Sequence, residues 1–196
     1  TISPFLLPRL LPALRRRYPR LKLYLREDQT ANLLEQLDRG DLDVLLLALP
    51  YACDGETVTI LRDELVVALP KDHPLTAGES VSPADLRAGN NALLTLQDGH
   101  CLRDQSLLAC GWHQNRQDGY AATSLHTLVQ MVDNGLGIAL LPRMALKAGI
   151  LTGTRLVTRP LTGAHPFRDI ALLWRKGSAR KDEMRLLADQ FKRLVG

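Results

Sequence analysis

Cysteine is scarce in this sequence: three residues in 196, an odd number. A secreted disulfide scaffold carries more of them, and in even numbers, so the expected location is reducing and cytoplasmic. No apolar run approaches the roughly 18 residues of a membrane-spanning helix, so no membrane contact is expected. There is no zinc-finger spacing, no RNP motif and no aromatic-interleaved basic stretch, so nothing here reads as a sequence-specific nucleic-acid binder. The opening Thr1-Ile2-Ser3-Pro4-Phe5 has neither a basic n-region nor a cleavage site, so it is not expected to be a signal peptide. It also has no initiator Met, so the expectation is a domain whose upstream part is missing.

What is there is ordinary for a globular chain, 45% hydrophobic and 23% charged. The length suits one large domain or two small ones. The net charge is +4, and Arg15-Arg16-Arg17 is its only dense basic run. That run reads either as an anion-binding patch or, more simply, as the solvated end of a helix, where the macrodipole favours cations.

The pattern alternates helix and strand. Pro4 to about Tyr18 reads as an amphipathic helix that must accommodate Pro8 and Pro12. Leu21–Arg26 alternates apolar and polar and predicts a strand. Thr30 is placed as the cap of a helix ending at Gly40. Asp43–Leu49 predicts a strand buried on both faces of a parallel sheet. Further strands are expected at Leu65–Pro70, Ala92–Leu96, Gly137–Pro142 and Ile170–Trp174. Helices are expected after Ser82-Pro83, after Ser124 with Leu125, Leu128, Val129 and Val132 on one stripe, and over Arg180–Val195. This is an α/β pattern, with hinge crossings expected near Leu65–Pro70 and Pro166–Ile170.

The chemistry concentrates at Gly99-His100-Cys101-Leu102-Arg103-Asp104, with a second thiol at Cys110. Helix starts and nearby cations favour a thiolate, and Cys101 sits at an expected helix start beside His100 and near Arg103. An oxidant would convert such a thiolate to sulfenic acid, which condenses with a second thiol. Across nine residues of unbroken helix the two Cα atoms would stand about 13 Å apart on opposite faces. A disulfide needs roughly 7 Å or less. Either the bond never forms or the segment refolds to make it, and Leu107 and Leu108 are expected to bury and resist that refolding. Three other readings stay open here. The cysteines are small buried hydrophobes; or His100, Cys101, Cys110 and His113 hold a metal; or a Cys nucleophile works with His100, His113, His126 or His165 as base. Cys53 lies in a polar loop and reads as incidental.

Several segments carry a resemblance to a known family. Leu96–Gln105 followed by Cys110 resembles the peroxide-sensing segment of the OxyR subfamily of LysR-type transcriptional regulators. Thr1–Pro8, Gln29-Thr30, Leu37–Asp43, Ala122–Leu128 and Gly135–Pro142 are similar to LysR-type effector domains in general. The resemblance implies two Rossmann-like α/β subdomains of the periplasmic-binding-protein type joined by two crossovers. It places 1–67 in subdomain I, 68–167 in subdomain II with the redox cysteines, and 168–196 in the return to subdomain I. It also implies a helix-turn-helix domain and linker helix upstream.

Residue by residue, it makes Cys101 the peroxidatic cysteine and Cys110 its resolving partner. Thr1, Thr30, His100, Asp104 and Arg168 become the peroxide-binding set, with no metal and no cofactor. The partners it implies are hydrogen peroxide, further copies in a homodimer or homotetramer, promoter DNA through the missing domain, RNA polymerase and a thiol reductant system. The rival expectation is an effector domain that binds a small organic ligand between its subdomains, the cysteines being incidental. In either case the chain is not expected to be an enzyme.

Overall fold

The computed structural model describes residues 1–51, 54–88, 91–112, 121–162 and 166–195. The chain divides into two units: one of Thr1 with Asp63–Phe167, the other of Ile2–Arg62 with Arg168–Gly196. The alternating pattern is realised as a mixed α/β architecture in both.

In the second of these units, α1 (Ser3–Arg17) runs straight through its prolines. Pro4, Pro8 and Pro12 recur every four residues on the exposed side, so the carbonyls that lose their N–H partners face water. Phe5, Leu6, Leu10 and Leu14 form the buried side. They pack on α7 (Lys181–Val195), whose own buried face is Met184, Ala188, Phe191 and Val195. Helix α2 (Thr30–Arg39) ends at Gly40 with φ +86°, a left-handed conformation that glycine adopts without strain. Thr30 is not its cap: it is the first helical residue, and Gln29 holds the capping position. Asp28 organises the entry instead, accepting from Gln29 N at 2.7 Å and Asn32 Nδ2 at 2.8 Å.

Strand β1 (Leu45–Leu49) pairs with β7 (Phe167–Arg175), Leu45 opposite Leu173 and Leu47 opposite Ala171. Beyond β7 lies β2 (Gly55–Leu69). The β1–β7 pairing is antiparallel, which corrects the parallel neighbour expected for Asp43–Leu49. A leucine-rich run records burial, not the direction of its partner. Leu37, Leu45, Leu47 and Leu173 form the apolar centre here. The strand expected at Leu21–Arg26 is absent: the segment joins no ladder among the described residues, and its leucines are exposed, as is Tyr24 at 90%. Alternation marks a segment able to pair, but a strand also needs backbone partners.

The other unit is built on the second half of β2, fully buried from Leu65 to Leu69. That half pairs antiparallel with β5 (Ala139–Pro142) and with β6 (Val157–Pro160). Helix α3 (Pro83–Ala88) starts with a reciprocal cap: Ser82 Oγ accepts from Asp85 N at 3.1 Å while the Asp85 carboxylate accepts from Ser82 N at 2.8 Å. Strand β3 (Thr95–Leu96) runs parallel to β4 (Ala121–Ala122). Gly137 is required where the chain passes Ala92, because a Cβ there would lie 2.3 Å from the Ala92 carbonyl oxygen.

Helix α5 (Leu125–Asp133) is capped by Ser124 and buries Leu125, Leu128, Val129 and Val132, the stripe read from the sequence. Helix α6 (Arg143–Lys147) receives the buried Asp63 carboxylate at its start, accepting from Met144 N at 2.9 Å. Helix α4 (Cys101–Cys110) packs on α3 and β3.

Candidate functional site

The two cysteines of interest are the first and last residues of α4, and both thiols are free. Gly99, with φ +88°, turns the chain into this helix. His100 is the extended residue before the first turn, and its carbonyl accepts from Arg103 N at 2.9 Å. Cys101 is half-buried in that turn, among backbone N–H groups that have no intrahelical partner. Asp104 is exposed one step short of a turn further on. The Arg103 guanidinium is drawn to two carboxylates, 3.1 Å from Asp98 and 3.8 Å from Asp104.

The inner face of α4 is Leu102, Ser106, Leu107 and Cys110. Leu107 buries as expected, whereas Leu108 is 82% exposed and corrects the sequence expectation. The reason is angular: Leu102, Ser106 and Cys110 centre the buried face, and position 108 points nearly opposite that centre at 100° per residue. Ser106 satisfies its hydroxyl inside the helix, donating to the Leu102 carbonyl at 2.7 Å. With the helix unbroken, the two Cα atoms are separated by nine rises, about 13 Å. A bond between these sulfurs therefore requires α4 to open.

Cys110 is fully buried, and burial pushes its thiol up to about 12, the Arg87 cation acting in the opposite direction. Arg87 Nη1 also donates to the Cys110 carbonyl at 2.8 Å. After Cys110 the helix stops at Gly111, φ +64°, with Trp112 N donating back to the Leu107 carbonyl at 2.9 Å. No local signal in the sequence marks Arg87, which lies 23 residues upstream of its partner.

The raised thiol value has a testable sign. A folded value above the ordinary one means the contribution to stability is complete below about pH 8.5 and is lost as pH climbs towards the folded value. The loss runs at about 1.4 kcal/mol per pH unit. Between pH 9 and 11, denaturant titrations of the parent are expected to lose about 2 kcal/mol more than those of Cys110→Ala. Equal losses would mean that the thiol ionises in place.

Of the seven residues singled out, Thr1, His100, Cys101, Asp104 and Cys110 belong to one unit, and α4 itself brings His100, Cys101 and Asp104 together. Thr30, half-buried at the start of α2, and Arg168, buried in β7, belong to the other. His126 is exposed on α5. Cys53, His113 and His165 lie outside the described residues. A separate groove of ≈ 810 Å³ among Tyr18, Leu21, Leu23, Val44, Met184 and Leu187 contains none of the seven.

The family model of the LysR substrate-binding domain matches residues 1–196. The chain is 42% identical over 193 residues to a Streptomyces viridosporus protein named as a probable hydrogen peroxide-inducible genes activator, covering 96% of this chain and 61% of that one. It is 40% identical over 196 residues to the DNA-binding transcriptional dual regulator OxyR of Escherichia coli K12, covering 96% and 62%. The chain thus spans about three-fifths of the length of the curated relatives it matches. Among solved structures, the reduced form of the regulatory domain of OxyR2 from Vibrio vulnificus superposes with a TM-score of 0.90 at 37% identity, covering 100% of this chain and 92% of that one. This chain belongs to the LysR substrate-binding domain family, among the OxyR regulatory domains.

Proposed function

We propose that this chain is the hydrogen-peroxide-sensing regulatory domain of a LysR-type transcription activator. The observation that carries the reading is the placement of two free thiols at opposite ends of one helix, in a chain about 40% identical to peroxide-inducible activators. The Cys101 thiolate attacks one oxygen of peroxide, the O–O bond breaks, and the departing hydroxide takes a proton to become water. The sulfur is left as sulfenic acid. Cys110 then attacks that sulfur, the S–O bond breaks, and a second water leaves with the Cys110 proton. Two thiols have given up two electrons, and one peroxide has become two waters.

Thr1, Thr30, His100, Asp104 and Arg168 are assigned to bind peroxide, whose two hydrogens and lone pairs suit hydroxyl, imidazole, carboxylate and guanidinium partners. The disulfide is incompatible with a whole α4, so oxidation refolds the segment and biases an interface between copies of the chain. Promoter DNA is contacted through an upstream helix-turn-helix domain, RNA polymerase is the downstream partner, and a thiol reductant resets the pair. Each event consumes one peroxide per thiol pair, which is sensing without turnover. The setting is the cytoplasm; no helix among the described residues is long and apolar enough to cross a membrane.

The test is stoichiometric peroxide on the reduced protein, alkylation of remaining thiols, and peptide mapping. A Cys101–Cys110 linkage is expected within seconds, with Cys53 still alkylatable, and Cys101→Ser abolishes it. If both thiols of α4 stay alkylatable, the peroxide reading fails, and binding of a small organic ligand becomes the function to test.

A further inference from the structure

Cys110 is held from outside its own helix. Arg87, exposed in the last turn of α3, donates Nη1–H to the Cys110 carbonyl at 2.8 Å. That carbonyl is one of the four that a helix end leaves without an intrahelical partner. The same guanidinium covers the following turn: a Cβ at Gly111 would stand 2.8 Å from Nη1. Gly111 is favoured by its left-handed φ of +64°, and the arginine side chain lies against it.

We propose that Arg87 is the latch of the thiol switch, a positioning residue that holds the last turn of α4 closed and so keeps the Cys110 sulfur away from Cys101. The inference rests on the peroxide reading above. Arg87 touches neither peroxide nor the exchanging proton. It acts on the second step only, in which the Cys110 sulfur displaces hydroxide from the Cys101 sulfenic acid and water leaves. That step waits for the last turn to open, so the strength of the latch sets the share of sulfenic acid that reaches the disulfide. An arginine suits the task because its guanidinium projects several donors from one rigid plane and stays charged. Its exposed position leaves the latch open to salt, which weakens a charged contact at the surface.

The test compares the parent with Arg87→Met and Arg87→Lys, first without peroxide. The rate at which iodoacetamide alkylates Cys110 under native conditions is read by peptide mass. Arg87→Met removes a hydrogen bond from a charged donor and also a cation that favours the thiolate. Release of the last turn is expected to outweigh the second effect, so that Cys110 reacts about tenfold faster. Arg87→Lys, which keeps a cationic donor, is expected to restore most of the protection. Amide exchange at Leu128 and Val129 of α5 is expected to be unchanged, placing the opening in α4. With peroxide, Arg87→Met is expected to form the disulfide faster, while sulfenic acid trapped by dimedone in a Cys110→Ser background accumulates at the parent rate.

An unchanged alkylation rate in Arg87→Met overturns the proposal. So does a rise matched by lost protection in α5, which would make Arg87 a general stabiliser. Faster alkylation with no disulfide on adding peroxide would leave the latch standing and remove the peroxide reading.

Discussion

In the reduced protein at pH 7.5, Cys110 is expected to react with iodoacetamide about a thousandfold more slowly than an unhindered thiol. The factor follows from ionisation: with its thiol pushed up to about 12, Cys110 presents a negligible fraction of the nucleophilic thiolate near neutrality. A free thiol of ordinary pKa, about 8.5, presents about a tenth. Full burial adds a second barrier, because the reagent reaches the sulfur only when the helix end opens. Cys101, half-buried at the other end, is expected to label first. Peptide mapping against time gives both rates in one experiment, and denaturant brings Cys110 up to the rate of an unfolded chain. If Cys110 labels at that rate without denaturant, α4 is open most of the time, and its resting form is not the one described.

Leu102→Ala is expected to destabilise the protein by about 3 kcal/mol, within the usual range for removing a buried leucine side chain. Leu102 is 1% exposed and central to the inner face of α4. For a domain of this size the loss corresponds to about 6–12 °C in the thermal midpoint. Leu108→Ala, on the same helix but 82% exposed, is expected to change stability by less than about 0.5 kcal/mol. The contrast extends to chemistry. Leu102 anchors the segment that must open, so its loss lowers the cost of opening and speeds the Cys101–Cys110 linkage on adding peroxide, whereas Leu108→Ala leaves that rate alone. Calorimetry and timed peptide mapping on both variants check this. Equal behaviour of the two would remove the opening of α4 from the pathway.

Much of the fold was legible where one residue does one local job. Ser82 and Ser124, which cap α3 and α5, and the left-handed Gly40, which ends α2, mark helix ends by direct hydrogen bonding or backbone freedom. The stripe of α5 was legible for the same reason, since periodicity records which face is buried. Periodicity does not record partners. The leucine run of β1 carried no hint that its neighbour β7 is antiparallel, and the alternation of Leu21–Arg26 gave no warning that the segment would join no ladder among the described residues. At the site, the helix start at Cys101 was legible, whereas the unbroken run to Cys110 and the outward turn of Leu108 depended on where α3 and β3 lie against α4. Arg87 was invisible because its contact is long-range and ends on a carbonyl, which every residue possesses. The peroxide-binding assignments of Thr30 and Arg168 had no local signal at all and came from the resemblance alone.

The exposed leucines of 21–25 bear on how the protein behaves at high concentration. Leu21, Leu23 and Leu25 alternate with Lys22, Tyr24 and Arg26 in a segment that satisfies the side-chain pattern of a strand while its backbone joins no ladder among the described residues. Such a stretch is a template for edge-to-edge aggregation, and lysine and arginine act as gatekeepers against it. Lys22 and Arg26 are the gatekeepers within this stretch. Neutralising Lys22 and Arg26, both exposed and outside the core, is expected to raise the light scattering of a concentrated solution without lowering the thermal midpoint.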